Sequence, residues 1–110
     1  MERARNLFDL KPARNLPWET GEKELVVLTV PKFRNRLLAR LLLPRLKKPE
    51  YRVRLDDVGS FSWNACDGQL TVLEIADHVA KKFGGDADAL HARVADFFKK
   101  LAREQFVVLR

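Results

Sequence analysis

Apolar positions recur along this chain with two periods, and each period predicts a kind of element. Residues 24–30, ELVVLTV, are β-branched and apolar without strict alternation. They predict a strand buried on both faces and ended near Pro31. Residues 50–56, EYRVRLD, alternate: Tyr51, Val53 and Leu55 point one way, Arg52 and Arg54 the other. That period of two predicts a half-exposed strand with a basic outer face, paired with the strand at 24–30. Between them, Phe33, Leu37, Leu38, Leu41 and Leu42 form a helical stripe that Pro44 stops. This basic amphipathic piece fits packing on its own domain, on a partner helix or on a membrane surface.

From Asp56 onward the period is helical. Asp57 is placed to cap a short helix over Val58–Cys66, with Phe61, Ala65 and Trp63 toward the core and Asp67-Gly68 as a turn. Thr71 with Glu74 three residues later is a capping-box pattern. It opens a helix whose inner stripe is Val72, Ile75, Ala76, Val79 and Phe83, closed at Gly84. Asp86 or Asp88 starts a third helix, along which Leu90, Val94, Phe97, Phe98 and Leu101 recur at spacings of three and four. Phe106–Leu109 reads as a short terminal strand. Residues 1–22, punctuated by Pro12, Pro17 and Gly21, read as an irregular arm that Trp18 anchors. The expected organisation is therefore an arm over 1–22 and a single domain over 23–110, with a basic helical insertion at 32–49. The expected fold class is α+β and winged-helix-like, a small antiparallel sheet followed by a three-helix bundle.

Charge singles out one segment. The chain of 110 residues carries 21 basic and 15 acidic side chains, and the excess sits in the middle: residues 31–54 hold nine basic groups against Glu50 alone. Such a segment points to an anionic partner or a solvated face. Its apolar stretch is broken by Arg40 and falls well short of the ~20 residues that span a bilayer. No secretory leader is apparent at the start, so the expected compartment is the cytoplasm.

Catalytic chemistry has little to stand on. Cys66 is the only cysteine, and the two histidines, His78 and His91, lie at the edges of apolar helical faces. Nothing places an acid or an oxyanion site beside Cys66, which reads as a small buried apolar residue. Asp56 and Asp57 are explained by capping, and Gly84-Gly85 lacks the strand and the lysine-serine pair of a phosphate loop. Direct DNA reading through the third helix is disfavoured, because residues 55–110 hold seven basic against nine acidic groups. The expectation is a protein without cofactor, metal or catalytic activity.

The string LDDVGSFSWNACDGQLTVLEIADHVAKKFG resembles the PqqD family of pyrroloquinoline quinone synthesis. The residues that carry the likeness are Leu55, Gly59, Trp63, Asp67-Gly68, Thr71-Val72 and Glu74-Ile75, followed by Phe97, Leu101 and Val107. The resemblance covers about residues 50–110. It implies a peptide chaperone of the RiPP recognition element type. Such a chaperone binds the leader segment of a ribosomally made precursor peptide and presents it to a modifying enzyme, often a radical S-adenosylmethionine enzyme. The leader adds a strand at the sheet edge and rests on the third helix. Carried onto this chain, the peptide-binding candidates are Arg52, Val53, Arg54 and Leu55 on the strand, and Ala89, Arg93 and Lys100 on the helix. The same edge would suit a homodimer. A membrane-surface contact through 33–48 and nucleic-acid binding are the lesser readings. The arm and the basic insertion depart from the compact family pattern, so the resemblance does not carry the quinone pathway itself.

Overall fold

A computed structural model of the chain describes residues 6–31 and 50–110. The helix expected over 33–43, and the basic insertion with it, lie outside the described residues. Two compact units are present, one of Leu16–Leu55 and one that joins the residues up to Asn15 to Asp56–Arg110. Among the described residues the elements are antiparallel strands and three α-helices, an α+β, winged-helix-like set.

The first unit is a three-stranded antiparallel sheet of β2 (Trp18–Thr20), β3 (Val26–Pro31) and β4 (Glu50–Arg54), in the order β2-β3-β4. The pairing of β3 with β4 is the one the sequence predicts, with Val27 opposite Arg54 and Val30 opposite Tyr51. The expectation that β3 is buried on both faces is corrected. Val26, Leu28 and Val30 are buried, whereas Val27 and Thr29 are only partly covered. Their face carries Arg52 and Arg54 on the neighbouring strand, so long charged side chains lie over it instead of a second apolar layer. Trp18 lies on β2, opposite Leu28 of β3, and is 41% exposed.

The second unit holds α1 (Asp57–Asn64), α2 (Val72–Phe83) and α3 (Ala87–Arg103), with β1 (Pro12–Arg14) paired antiparallel to β5 (Val107–Leu109). Thus the stretch expected to be irregular contains β1, β2 and a 3-10 turn at Leu7–Asp9. β1 does more than pair with β5. The Pro12 carbonyl accepts from the Gly68 amide at 3.0 Å, and the Leu10 carbonyl accepts from the Val72 amide at 2.9 Å. Gly68 meets this approach with φ 79°, a left-handed conformation that a side chain would strain.

The helix starts follow from local chemistry. Thr71 Oγ1 accepts from the Glu74 amide at 3.1 Å, and the Glu74 carboxylate accepts from the Thr71 amide at 2.8 Å, which completes the expected capping box. Asp86 caps α3 by accepting from the Asp88 and Ala89 amides. At α1 the cap is Asp56 rather than Asp57: its carboxylate accepts from the Gly59 amide at 2.7 Å, while Asp57 reaches only the adjacent Val58 amide. α2 ends at Gly84, with φ 74°.

α2 and α3 pack against each other, and α1 against both. The fully buried side chains here include Trp63, Val72, Ile75, Val79, Val94 and Phe98. Phe61, Ala65 and Phe83 are only partly covered, and the buried residues of α1 are Val58, Gly59, Ser60, Ser62 and Trp63. Phe97, expected in the core, is partly exposed. Its neighbour Phe98 takes the inward place, with the two rings edge to face at 5.2 Å.

Arg14 supplies a contact between β1 and α1. Its guanidinium donates to the carbonyls of Trp63 at 3.1 Å and Asn64 at 3.0 Å, so a cation closes the carbonyl end of α1. Replacing Arg14 with Met keeps most of the aliphatic stem and removes both bonds. The expected loss is about 1–2 kcal/mol of stability, read by urea denaturation.

Candidate functional site

The strand candidates share the outer edge of one sheet. The Leu55 amide donates to the Val26 carbonyl at 2.8 Å. In an antiparallel ladder bonded and non-bonded pairs alternate. Val53–Leu28 and Tyr51–Val30 are therefore bonded pairs, and Arg52–Thr29 and Arg54–Val27 are not. The Thr29 amide agrees: it donates to Pro17 on the β2 side, at 3.0 Å. The main-chain N–H and C=O of Arg52 and Arg54 thus face away from β3. No other strand pairs with β4 among the described residues, so these groups lie on an open edge.

Side-chain burial divides the same four candidates. Arg52 and Arg54 are exposed, Val53 is partly covered, and Leu55 is buried with its amide committed to β3. Leu55 therefore ties the strand down, while Arg52 and Arg54 carry the accessible backbone. Their side chains line a shallow hollow of about 360 Å³ with Glu19, Gly21, Glu22 and Val27. Within it Arg52 pairs with Glu19. Tyr51, 45% exposed, stands on the opposite face of the strand.

The helix candidates belong to the second unit and share a face of α3. Arg93 and Lys100 line a hollow of about 220 Å³ with Asp56, Val58, Gly59, Asp96 and Phe97. Ala89 lies one turn before Arg93, exposed in the first turn of the helix. Both cations are matched: Arg93 pairs with Asp56 at 2.5 Å, and Lys100 with Asp96 at 3.0 Å. Gly59, costly inside a helix, sits where α1 borders this hollow. Sequence reasoning missed Phe97 and Asp56 as lining residues because core packing and capping already explained them.

A family model described as Coenzyme PQQ synthesis protein D (PqqD) matches residues 43–107, more than half of the chain. The chain belongs to the PqqD family. No curated protein and no solved structure gives a match. Every strand and helix candidate, from Arg52 to Lys100, falls inside the span matched to PqqD, as do β4 and all three helices. The strands β1, β2 and β3 lie before it, so this PqqD-family chain builds its open edge on a partner strand, β3, from outside the matched span.

Candidates for chemistry fare differently. Among the described residues no three His, Cys, Asp or Glu side chains gather to hold a metal. No helix among them is long and apolar enough to cross a membrane. His91 bonds Asp77 at 2.9 Å between α3 and α2, and His78 is exposed. Cys66 is buried and donates through sulfur to the Ser62 carbonyl at 3.3 Å. Burial pushes its thiol from 9.0 up to about 12, opposed by the nearby Arg14 charge and reinforced by Asp67. At neutral pH it is a protonated packing group, not a nucleophile. Asp67 is held below the ordinary carboxylate range, chiefly because it accepts from the Gln69 and Leu70 amides.

The Cys66 shift has a measurable consequence. Between pH 9 and 12 the folded chain keeps a proton that the unfolded chain releases. The thiol's contribution to stability is full below pH 9 and is lost as pH rises through that window. At about 1.4 kcal/mol per pKa unit, the stability advantage of wild type over Cys66→Ala should shrink by about 2 kcal/mol between pH 8.5 and 10.5. Urea denaturation of both proteins at the two pH values checks this. A difference independent of pH would contradict it.

Proposed function

We propose that this chain is a non-catalytic adaptor that binds the leader segment of a ribosomally made precursor peptide and presents it to a peptide-modifying enzyme. The observation that carries the reading is the open edge of β4. There the main-chain groups of Arg52 and Arg54 are turned away from β3 within the family-matched span. An extended segment can bond to such an edge through its backbone, with neighbouring side chains supplying selectivity. Ala89, Arg93 and Lys100 on α3 are proposed as a second set of peptide contacts. A radical S-adenosylmethionine enzyme is the partner class that the family likeness suggests. The quinone pathway is one setting for such a partner.

Nucleic-acid binding finds less support. Each α3 cation in the hollow is paired with a carboxylate, which leaves little unmatched charge for phosphate. The test is calorimetric titration of the full chain with the leader half and the core half of a precursor peptide encoded beside it. The expected result is saturable binding of the leader half only. Binding of neither half, or salt-steep binding of arbitrary duplex DNA in its place, would overturn the reading.

A further inference from the structure

We infer that Arg54, and not Arg52, is the residue through which this edge selects the charge of its peptide. The preferred segment carries an acidic residue beside Arg54 and apolar residues on the opposite face. This inference rests on the strand-addition reading above and deepens it. Both arginines project from β4 on the face that carries Val27 and Thr29, and both border the same hollow. Their electrostatic situations differ. Glu19 stands in the same cross-strand row as Arg54, with Val27 between them, yet its carboxylate bonds diagonally to Arg52. Arg52 is thereby neutralised from within. Arg54 forms no ion pair among the described residues.

Position decides what Arg54 can attract. Glu19 lies on β2, and Glu22 follows just after that strand. Strands in a sheet are spaced about 4.8 Å apart, so a segment added outside β4 lies next to Arg54 and some 14 Å from β2. Those are backbone separations; the Glu19 carboxylate itself reaches across to Arg52 and is engaged there. The incoming segment therefore meets Arg54 as the cation that has no carboxylate partner among the described residues. Side chains of an added strand alternate between faces. Every second residue lands on the face of Glu50, Arg52 and Arg54; the one beside Arg54 forms a cross-strand ion pair when it is Glu or Asp, whereas the others meet an already matched cation and an acid. The intervening residues land beside Tyr51 and Val53, an exposed and a partly covered apolar side chain, where apolar residues fit.

The probe is a display library of random ten-residue segments, panned against the full chain, Arg54→Gln and Arg54→Glu. Arg54 is exposed, so both variants should keep the fold, as thermal melting and circular dichroism will verify. Segments enriched on wild type should carry one Asp or Glu flanked on both sides by apolar residues. Their synthetic versions should bind Arg54→Gln about two- to five-fold more weakly, the span of a cross-strand ion pair. Arg54→Glu should exchange that acid for Lys or Arg, and Arg52→Gln should change affinity less than Arg54→Gln. If enriched segments perturb the Arg52 and Arg54 amides but show no charge preference, or keep it in Arg54→Glu, the inference fails and strand addition stands. If no segment is enriched, or enriched segments leave those amides untouched, both fail.

Discussion

Phe98→Ala should remove about 3–5 kcal/mol of stability, the usual cost of deleting a large aromatic from a packed core. Phe98 is 0% exposed, on the buried face of α3. No solvent can refill the space, and the neighbouring Val94 and Leu101 are held on the same helix. A domain of this size holds only about 5–15 kcal/mol in total, so the variant should be partly unfolded near body temperature. Phe97→Ala is the control. Its ring borders the open hollow beside Gly59 and already meets water, so a loss under half as large is expected. Urea denaturation followed by helical circular dichroism compares the two. Equal losses, or a larger one for Phe97→Ala, would reverse the assignment of the inward face.

Proline at two adjacent positions of β4 should have opposite consequences. Arg54 has its amide on the open edge, so Arg54→Pro removes a donor that no internal bond uses, and proline is tolerated at strand edges. The sheet should survive while leader binding falls by tenfold or more, because a backbone donor and the side-chain charge are lost together. Val53 has its amide directed at Leu28. Val53→Pro breaks an internal ladder bond and should destabilise the sheet itself, by about 1–3 kcal/mol, the cost of leaving its carbonyl partner unsatisfied. Binding and melting measured on both variants separate the two effects. Arg54→Pro binding the leader as wild type does would argue against backbone pairing at this edge.

Much of the helical unit is legible in the sequence because its signals are local. Thr71 with Glu74, Asp86 and the apolar stripe of α2 each specify a start or a face within one or two turns. Where two adjacent residues satisfy the same rule, local reasoning divides wrongly. Asp56 and Asp57 both read as caps, and the choice falls to Asp56 because its carboxylate reaches the Gly59 amide. Phe97 and Phe98 both fit a three-four spacing, and the structure buries Phe98. β1 was hidden for a different reason. It is three residues long, includes a proline, and pairs with residues 107–109 at the far end of the chain. Nothing periodic in residues 12–14 encodes a partner so distant. At the candidate site, the alternation of β4 showed which side chains share a face. The direction of each amide depends on the register with β3, which only the structure supplies.

The central claim is that the open edge of β4 receives a peptide strand, and amide hydrogen exchange with and without a leader peptide tests it most directly. In the free chain the Val53 and Leu55 amides, bonded to β3, should exchange slowly, and those of Arg52 and Arg54 fast. On saturation with leader peptide the account predicts strong new protection at Arg52 and Arg54, with little change at Val53 and Leu55. A saturable complex in which Arg52 and Arg54 still exchange at their free rates, with protection arising only within residues 32–49, would contradict it and move the binding function to the basic insertion.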